Sequence, residues 1–303
     1  MIAFSDIVSL QMSVLLMILT GFVLKKIHII RPENEKCLSD LVMLVFMPAS
    51  IIYSFSTDLT IDVLKNGIVI LVIGFAVQFL AMGLNKFLYN WCPDSEKRIY
   101  QYGTLVSNGG LVGIPIISGL FGMQGVMYAN IYLIAQRIFI WSAGISLFTK
   151  QKKSWKTLVI QTITNPTVIA IFIGLLPSIF GLSYPNVILN AVDHIGSCLS
   201  AMSLIVVGSI LADIQWKGLI TKGMVELSAN RLLIIPLIVL LIGRLLQLPE
   251  DIVWISVLLV GMPVASTCAV LARKYNQDYK LASRSILVTT ILSMVTLPVL
   301  TLF

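Results

Sequence analysis

The stretch Asn108-Gly109-Gly110-Leu111-Val112-Gly113-Ile114-Pro115 interrupts an apolar run that reaches from about residue 99 to 121. A second run, from about 252 to 272, is interrupted by Gly261-Met262-Pro263, so a Gly-apolar-Pro unit recurs 148 residues further on. Proline deletes a backbone donor and collides with the preceding turn, while nearby glycines accept non-helical torsions, so both runs are expected to open near their middles. Open backbone at membrane depth is tolerated only where protein or a wet cavity satisfies the freed groups. One such kink is as readily a packing feature, because Gly and Pro are common in membrane helices. A matched pair in two halves of a chain, with Asn108 and three glycines in one copy, favours a transport site.

Eight further apolar runs, bounded by polar or charged clusters, fall at roughly 6 to 24, 38 to 56, 64 to 88, 126 to 148, 158 to 180, 187 to 211, 223 to 245 and 282 to 302. The reading is an all-α integral membrane protein of ten helices, the sixth starting late at Asn165-Pro166 with Asn as cap and Pro in the first turn. Composition agrees, since 57% of the 303 residues are apolar and 12% charged, and the mean hydropathy is +0.95. Ten spans use roughly 200 residues, which leaves no room for a sizeable soluble domain and excludes soluble enzymes and nucleic-acid readers. The first run has its lysines after it, the reverse of a secretory signal, so it reads as a retained helix.

The net charge of +7 is explained by topology. With ten spans, the links on one side carry 17 Lys and Arg residues and the side holding both termini carries only Lys65 and Arg244. The positive-inside rule then puts both termini outside a cell membrane. The basic link at residues 151–157 divides the chain into a first five-helix repeat (1–150) and a second (158–303). Because five is odd, the second copy enters from the opposite face, as in secondary transporters built from inverted repeats. The half-helices after Pro115 and Pro263 would then meet near the midplane from opposite directions. Their N-termini carry partial positive charge and unpaired N–H groups that suit a carboxylate. Asn108 adds an amide beside one, and Ser266 and Thr267 add hydroxyls beside the other.

Two basic residues remain at membrane depth, Arg137 in the fifth run and Arg231 in the eighth. An arginine at a span centre costs about 2.5 to 3.5 kcal/mol on insertion scales and must face protein or water. Arg137 either meets an anionic substrate or binds carbonyls freed by a broken helix, and the sequence does not choose between them. Arg231 has the same two roles open to it, with snorkelling towards the inner face as a third. The acids Asp40, Asp193 and Asp213 read as lying at helix ends, solvated or capping, with a proton relay as the other role open to any one of them.

The run SNGGLVGIPIISGLFGMQGVMYAN, with NPTVIAIFIGLL, SLIVVGSILAD, GMPVASTCAVLARKYNQD and the closing TTILSMVTLPVL, resembles the auxin efflux carrier family, whose bacterial members include malate and malonate permeases, and the resemblance spans essentially the whole chain. It implies two inverted five-helix repeats with helices four and nine crossing at their prolines. It also implies a scaffold of helices one, two, six and seven, a mobile bundle of three to five and eight to ten, an elevator-like motion and a homodimer. Family members tend to carry an asparagine at each crossover. Asn108 matches the first, whereas Thr267, flanked by Ser266 and Cys268, stands at the second. The family's proline in helix two is kept as Pro48, and its counterpart in helix seven is Ala201.

The substrate site expected from both readings comprises Asn108, Gly109, Gly110, Gly113 and Pro115 in the first break and Gly261, Pro263, Ser266 and Thr267 in the second. Arg137, Arg231 and Pro48 complete it. No metal or cofactor is expected, because the four cysteines and two histidines show no ligand spacing. The spans hold no Ser-His, paired Asp or HExxH constellation, so an enzyme is not expected. The leading function is a secondary carrier for a small organic acid in the lipid bilayer. The alternative is a ligand-binding membrane sensor or channel-like protein with the same fold.

Overall fold

The computed structural model describes residues 4–56, 60–149, 163–180, 184–214 and 220–303, with 156, 157 and 160 between them. Among these residues the regular structure is helical, apart from an isolated antiparallel bridge between Ser107 and Val264. Seven helices are long and apolar enough to cross a membrane: Ile7–Lys26, Glu33–Phe55, Ile61–Leu84, Gly109–Phe148, Asn186–Ala212, Lys222–Leu245 and Tyr279–Leu300. These fall on the apolar runs marked by the hydropathy pattern, so the described residues form an all-helical membrane protein. The fourth run is in two pieces and its second piece continues into the fifth, the sixth begins at Pro166, and the ninth is in two pieces. Most of the basic link, 150–155, lies outside the described residues.

The helices are α1 (Phe4–Lys26), α2 (Pro32–Leu41 continuing to Met47–Phe55), α3 (Ile61–Leu84), α4 (Asp94–Leu105), α5 (109–121), α6 (123–148), α7 (Pro166–Ile179), α8 (Asn186–Ala212), α9 (Lys222–Leu245), α10 (Glu250–Val260), α11 (Thr267–Lys274) and α12 (Tyr279–Leu300). Helices α5 and α6 form one helical run turned by a corner at Gly122, where φ is +60 and ψ −158, torsions that a side chain would strain. Several starts carry conventional caps. The side chains of Thr60, Thr221 and Asp278 accept from the N–H groups of Val63, Met224 and Leu281. Asn165 caps α7 as expected, its Oδ1 accepting from the Thr167 N–H at 3.0 Å.

Three of the four π turns lie just ahead of a proline: Val42–Phe46 before Pro48, Gly109–Gly113 before Pro115 and Asn230–Ile234 before Pro236. A widened turn moves the carbonyl that would otherwise meet the proline ring, so the helix continues through the residue instead of breaking at it. Pro115 is thus buried inside a helix, and the opening expected at it lies further back.

The helices sort into two groups by packing. Helices α1, α2, α7 and α8 meet through glycines: a Cβ on Gly21 would stand 2.0 Å from the Ile205 carbonyl oxygen, and one on Gly208 would stand 1.9 Å from that of Ile18. Gly196 of α8 faces the Ser50 backbone in α2, and Gly174 of α7 faces Phe55 and Ile52. Without a hydrophobic force between helices in lipid, such close backbone approach supplies the association. In the other group α10, buried at every position from Ile252 to Val260 as a helix apolar on all sides must be, packs against α3, α5, α6 and α9. Large apolar side chains such as Leu16, Ile68, Phe79 and Leu241 point outward, as a lipid-facing surface requires.

Candidate functional site

The site is built where two chains of broken helix cross. Helix α4 ends at Leu105 and the next residue, Val106, is extended (φ −117, ψ 116). Ser107 then lies antiparallel to Val264, which follows the end of α10. The Asn108 N–H donates to the Pro263 carbonyl at 2.8 Å and the Ala265 N–H donates to the Val106 carbonyl at 3.2 Å. Each break thus supplies partners for the other, which answers the requirement that buried backbone be paired. The chains cross at Ser107 and Val264. Pro263 adjoins that point but Pro115 does not, which corrects the expectation of a crossing at the two prolines.

Side chains from neighbouring helices satisfy what the bridge leaves over. Gln136 of α6 reads Ser107 from both sides: its Oε1 accepts from the Ser107 N–H (3.3 Å) and hydroxyl (2.7 Å), and its Nε2 donates to the Ser107 carbonyl at 2.8 Å. Thr289 of α12 accepts from the Val264 N–H at 3.0 Å. Arg231, only 1% exposed, donates through Nη1 to the Thr104 carbonyl at 2.8 Å and through Nε to the Met262 carbonyl at 3.2 Å. It therefore ties the last turn of α4 to the second break and does not snorkel. Carbonyl binding, which the sequence left open for either arginine, is found at Arg231.

Arg137 is different. Its Nη2 lies 3.4 Å from Asn130 Oδ1, its Nη1 is buried without a partner, and among the described residues it bonds to neither break. Asn130, Tyr132 and Gln136 are buried in packed interfaces.

Beside the crossing, the start of α5 keeps polar groups without partners. The carbonyl of Asn108 accepts from the Val112 and Gly113 N–H groups, so this residue caps the helix through its backbone. Its side chain does not fold back, and Nδ2 is buried with no hydrogen-bond partner, in a residue 4% exposed. Beyond it, the N–H groups of Gly109, Gly110 and Leu111 form the first turn, where no acceptor exists within the helix. Gly109 and Gly113 are buried against Leu133 and Leu259, while Gly110 is half-exposed and faces Met47, the residue before Pro48 in α2. A cluster of unpaired amides at a helix N-terminus is an anion-binding arrangement.

The second break is more nearly complete. Gly261 closes α10 with helical torsions, Ser266 opens α11 without a side-chain cap, and Thr267 shares a hydrogen bond with Tyr102 at 2.9 Å. Thr289 and Tyr102 were not singled out from the sequence, and Gln136 stood there with Asn130 and Tyr132 as a residue that lines either a cavity or a packed helix interface. The available signal was their polarity inside apolar runs, with Gln136 directly preceding Arg137. Asp193 also departs from expectation. It lies two turns inside α8 and lines a cavity with Ser50, Tyr53 and Ser118.

Long apolar helices with lipid-facing side chains and a broken-helix crossing define a multi-pass membrane transporter, and the comparisons agree. Residues 6–301 match the family of membrane transport proteins, so the chain belongs to that family, the auxin efflux carriers. An uncharacterized transporter of Methanothermobacter thermautotrophicus is 26% identical over 299 residues, covering 95% of each chain. One of Methanocaldococcus jannaschii is 24% identical over 291 residues, covering 93% of each.

Proposed function

We propose that this transporter is a secondary carrier that moves a small organic anion, a mono- or dicarboxylate such as malate or malonate, by elevator-type alternating access. The observation that carries the reading is the opening of α5, where the buried Asn108 amide and three first-turn N–H groups lack partners beside a crossing held by the Asn108–Pro263 and Ala265–Val106 backbone bonds. Spare donors in a paired environment bind an anion at little reorganisation cost.

The same reading takes α4 with α5 and α10 with α11 as the fourth and ninth of ten spans, in two inverted five-helix repeats. The glycine-knit group of α1, α2, α7 and α8 would be the scaffold, with a homodimer as the assembly, and the other helices would carry the site across the membrane. Both termini would lie outside. The opening of α5 would then face this scaffold at α8 and at Met47 of α2.

Reconstituted protein tests the function. Saturable uptake of labelled malonate with counterflow into proteoliposomes is expected, and binding without flux would instead support the sensor reading. A cysteine placed at Ser154, in a background free of native cysteines, should react only with a membrane-permeant reagent. Labelling by an impermeant one in intact cells would reverse the topology and remove the inverted repeat.

A further inference from the structure

We propose that Asp193 takes up one positive charge, a proton or a sodium ion, together with the transported anion; this rests on the organic-anion reading above. The cavity between α2, α5 and α8 has a volume of about 240 Å³. Its wall on α5 is Ile114 and Ser118, which continue at four-residue intervals from Gly110 at the helix opening and so extend the same face. Ser50 and Tyr53 of α2 and Ser200 of α8 close it, and Gly196 lets α8 approach the Ser50 backbone at this level. An anion at the start of α5 therefore has a carboxylate-bearing cavity along the helix it binds.

Asp193 is half-buried, and among the described residues its carboxylate has no ion pair and no side-chain hydrogen bond. The hydroxyls of Ser50, Tyr53, Ser118 and Ser200 likewise donate to no described partner. Among the described residues no cationic side chain lines the cavity. Tyr53 is the other titratable side chain lining the cavity, α5 contributes Ile114 and Ser118, α6 contributes Met123, and His194 follows Asp193 in sequence but is exposed. Among the helices packed on α8, α1 places Lys25 beside Asp213 at the opposite end of α8, 3.1 Å away. The acids and Lys36 of α2 lie in that helix's first turns, Lys280 and Arg284 open α12, and Arg137 on α6 bonds to Asn130.

Two carboxylates that share a site do not both stay ionised without a counter-charge. Protonation of Asp193 removes the repulsion and lets it donate a hydrogen bond. A sodium ion held by the carboxylate and the serine hydroxyls, hard oxygen ligands, achieves the same neutrality.

Malonate binding to the purified protein, measured by calorimetry at about pH 6.5 and about pH 8.5 in sodium or choline chloride, distinguishes these sources, with linkage setting a limit of about tenfold per pH unit for one proton. Tighter binding at the lower pH in choline identifies the proton, and tighter binding in sodium at fixed pH identifies the ion. In either case Asp193→Asn should bind malonate with the dependence abolished. His194→Gln should leave it unchanged. Asp193→Glu, which keeps the charge, should retain it. A parent protein that binds malonate equally under all four conditions overturns the inference, as does an Asn variant that keeps the parent's dependence. Absence of malonate binding to the parent under every condition strikes the anion reading itself, and the coupling inference falls with it.

Discussion

The two helix breaks face each other across one antiparallel bridge, yet they are finished differently. At the second, the freed groups find partners from several elements: the Val264 N–H in Thr289, the Met262 carbonyl in Arg231, the Pro263 carbonyl in Asn108, and the Thr267 hydroxyl in Tyr102. At the first, the extended backbone is held as firmly, by Gln136, but the helix that follows begins with glycines and an asparagine amide that has no partner. A break stable in a membrane need not leave donors free, because the second leaves few. The spare donors of the first are therefore a property of that sequence and not an unavoidable consequence of breaking a helix.

The largest effect should come from Gln136→Leu. The change leaves the Ser107 N–H and carbonyl buried and unpaired, at about 1 to 3 kcal/mol for each group, so the variant should lose folded, monodisperse protein in detergent. A melting temperature close to that of the parent would mean that water or another side chain replaces the clamp, and that the first break is the looser one.

Next in size is Arg231→Met. Two carbonyls lose their donor, but removing a buried cation offsets part of that loss, so destabilisation of about 1 to 4 kcal/mol is expected from the same per-group cost. Arg137→Gln should behave in the opposite way, with uptake abolished and thermal stability near the parent's, because its guanidinium makes a single long contact and supports neither break. Equal destabilisation by the two changes would erase the distinction between the arginines.

This pair also marks the limit of what the sequence disclosed. Hydropathy was sufficient for an all-helical membrane protein, and the two Gly-apolar-Pro units pointed to the two runs that break. They misplaced the first opening because a proline following a glycine-rich π turn is accommodated within the helix. Nor could they assign Arg231. Its carbonyl partners, Thr104 and Met262, are 127 and 31 residues away in the chain, and only the crossing brings them together. Asp193 was misread for a related reason: α8 is long, and which turn faces a cavity depends on where Gly196 lets it approach α2.

Asn108→Ala should leave stability near that of the parent, since the lost amide makes no bond in the structure, and should weaken substrate binding. Losing a hydrogen bond to a charged group costs about 1.5 to 3 kcal/mol, which corresponds to roughly 10- to 150-fold in the dissociation constant. Binding within about twofold of the parent, less than the loss of one such bond, would move the site away from the α5 opening.

The smallest effect is expected for Thr267→Val. If the second break were equivalent to the first, this residue would be the counterpart of Asn108 and its loss would be comparably costly. Its hydroxyl is instead occupied by Tyr102 at 2.9 Å, in a half-buried position, and the first-turn N–H groups of α11 survive the substitution. Removing one neutral hydrogen bond costs about 0.5 to 1.5 kcal/mol of stability, while substrate binding should change by less than about threefold, under the roughly 1.4 kcal/mol that a tenfold change represents. Tyr102→Phe should reproduce the stability loss, because it breaks the same bond from the other side. Should Thr267→Val weaken binding as much as Asn108→Ala while Tyr102→Phe does not, the threonine exchanges Tyr102 for the substrate on binding, and the two breaks contribute to the site as equals.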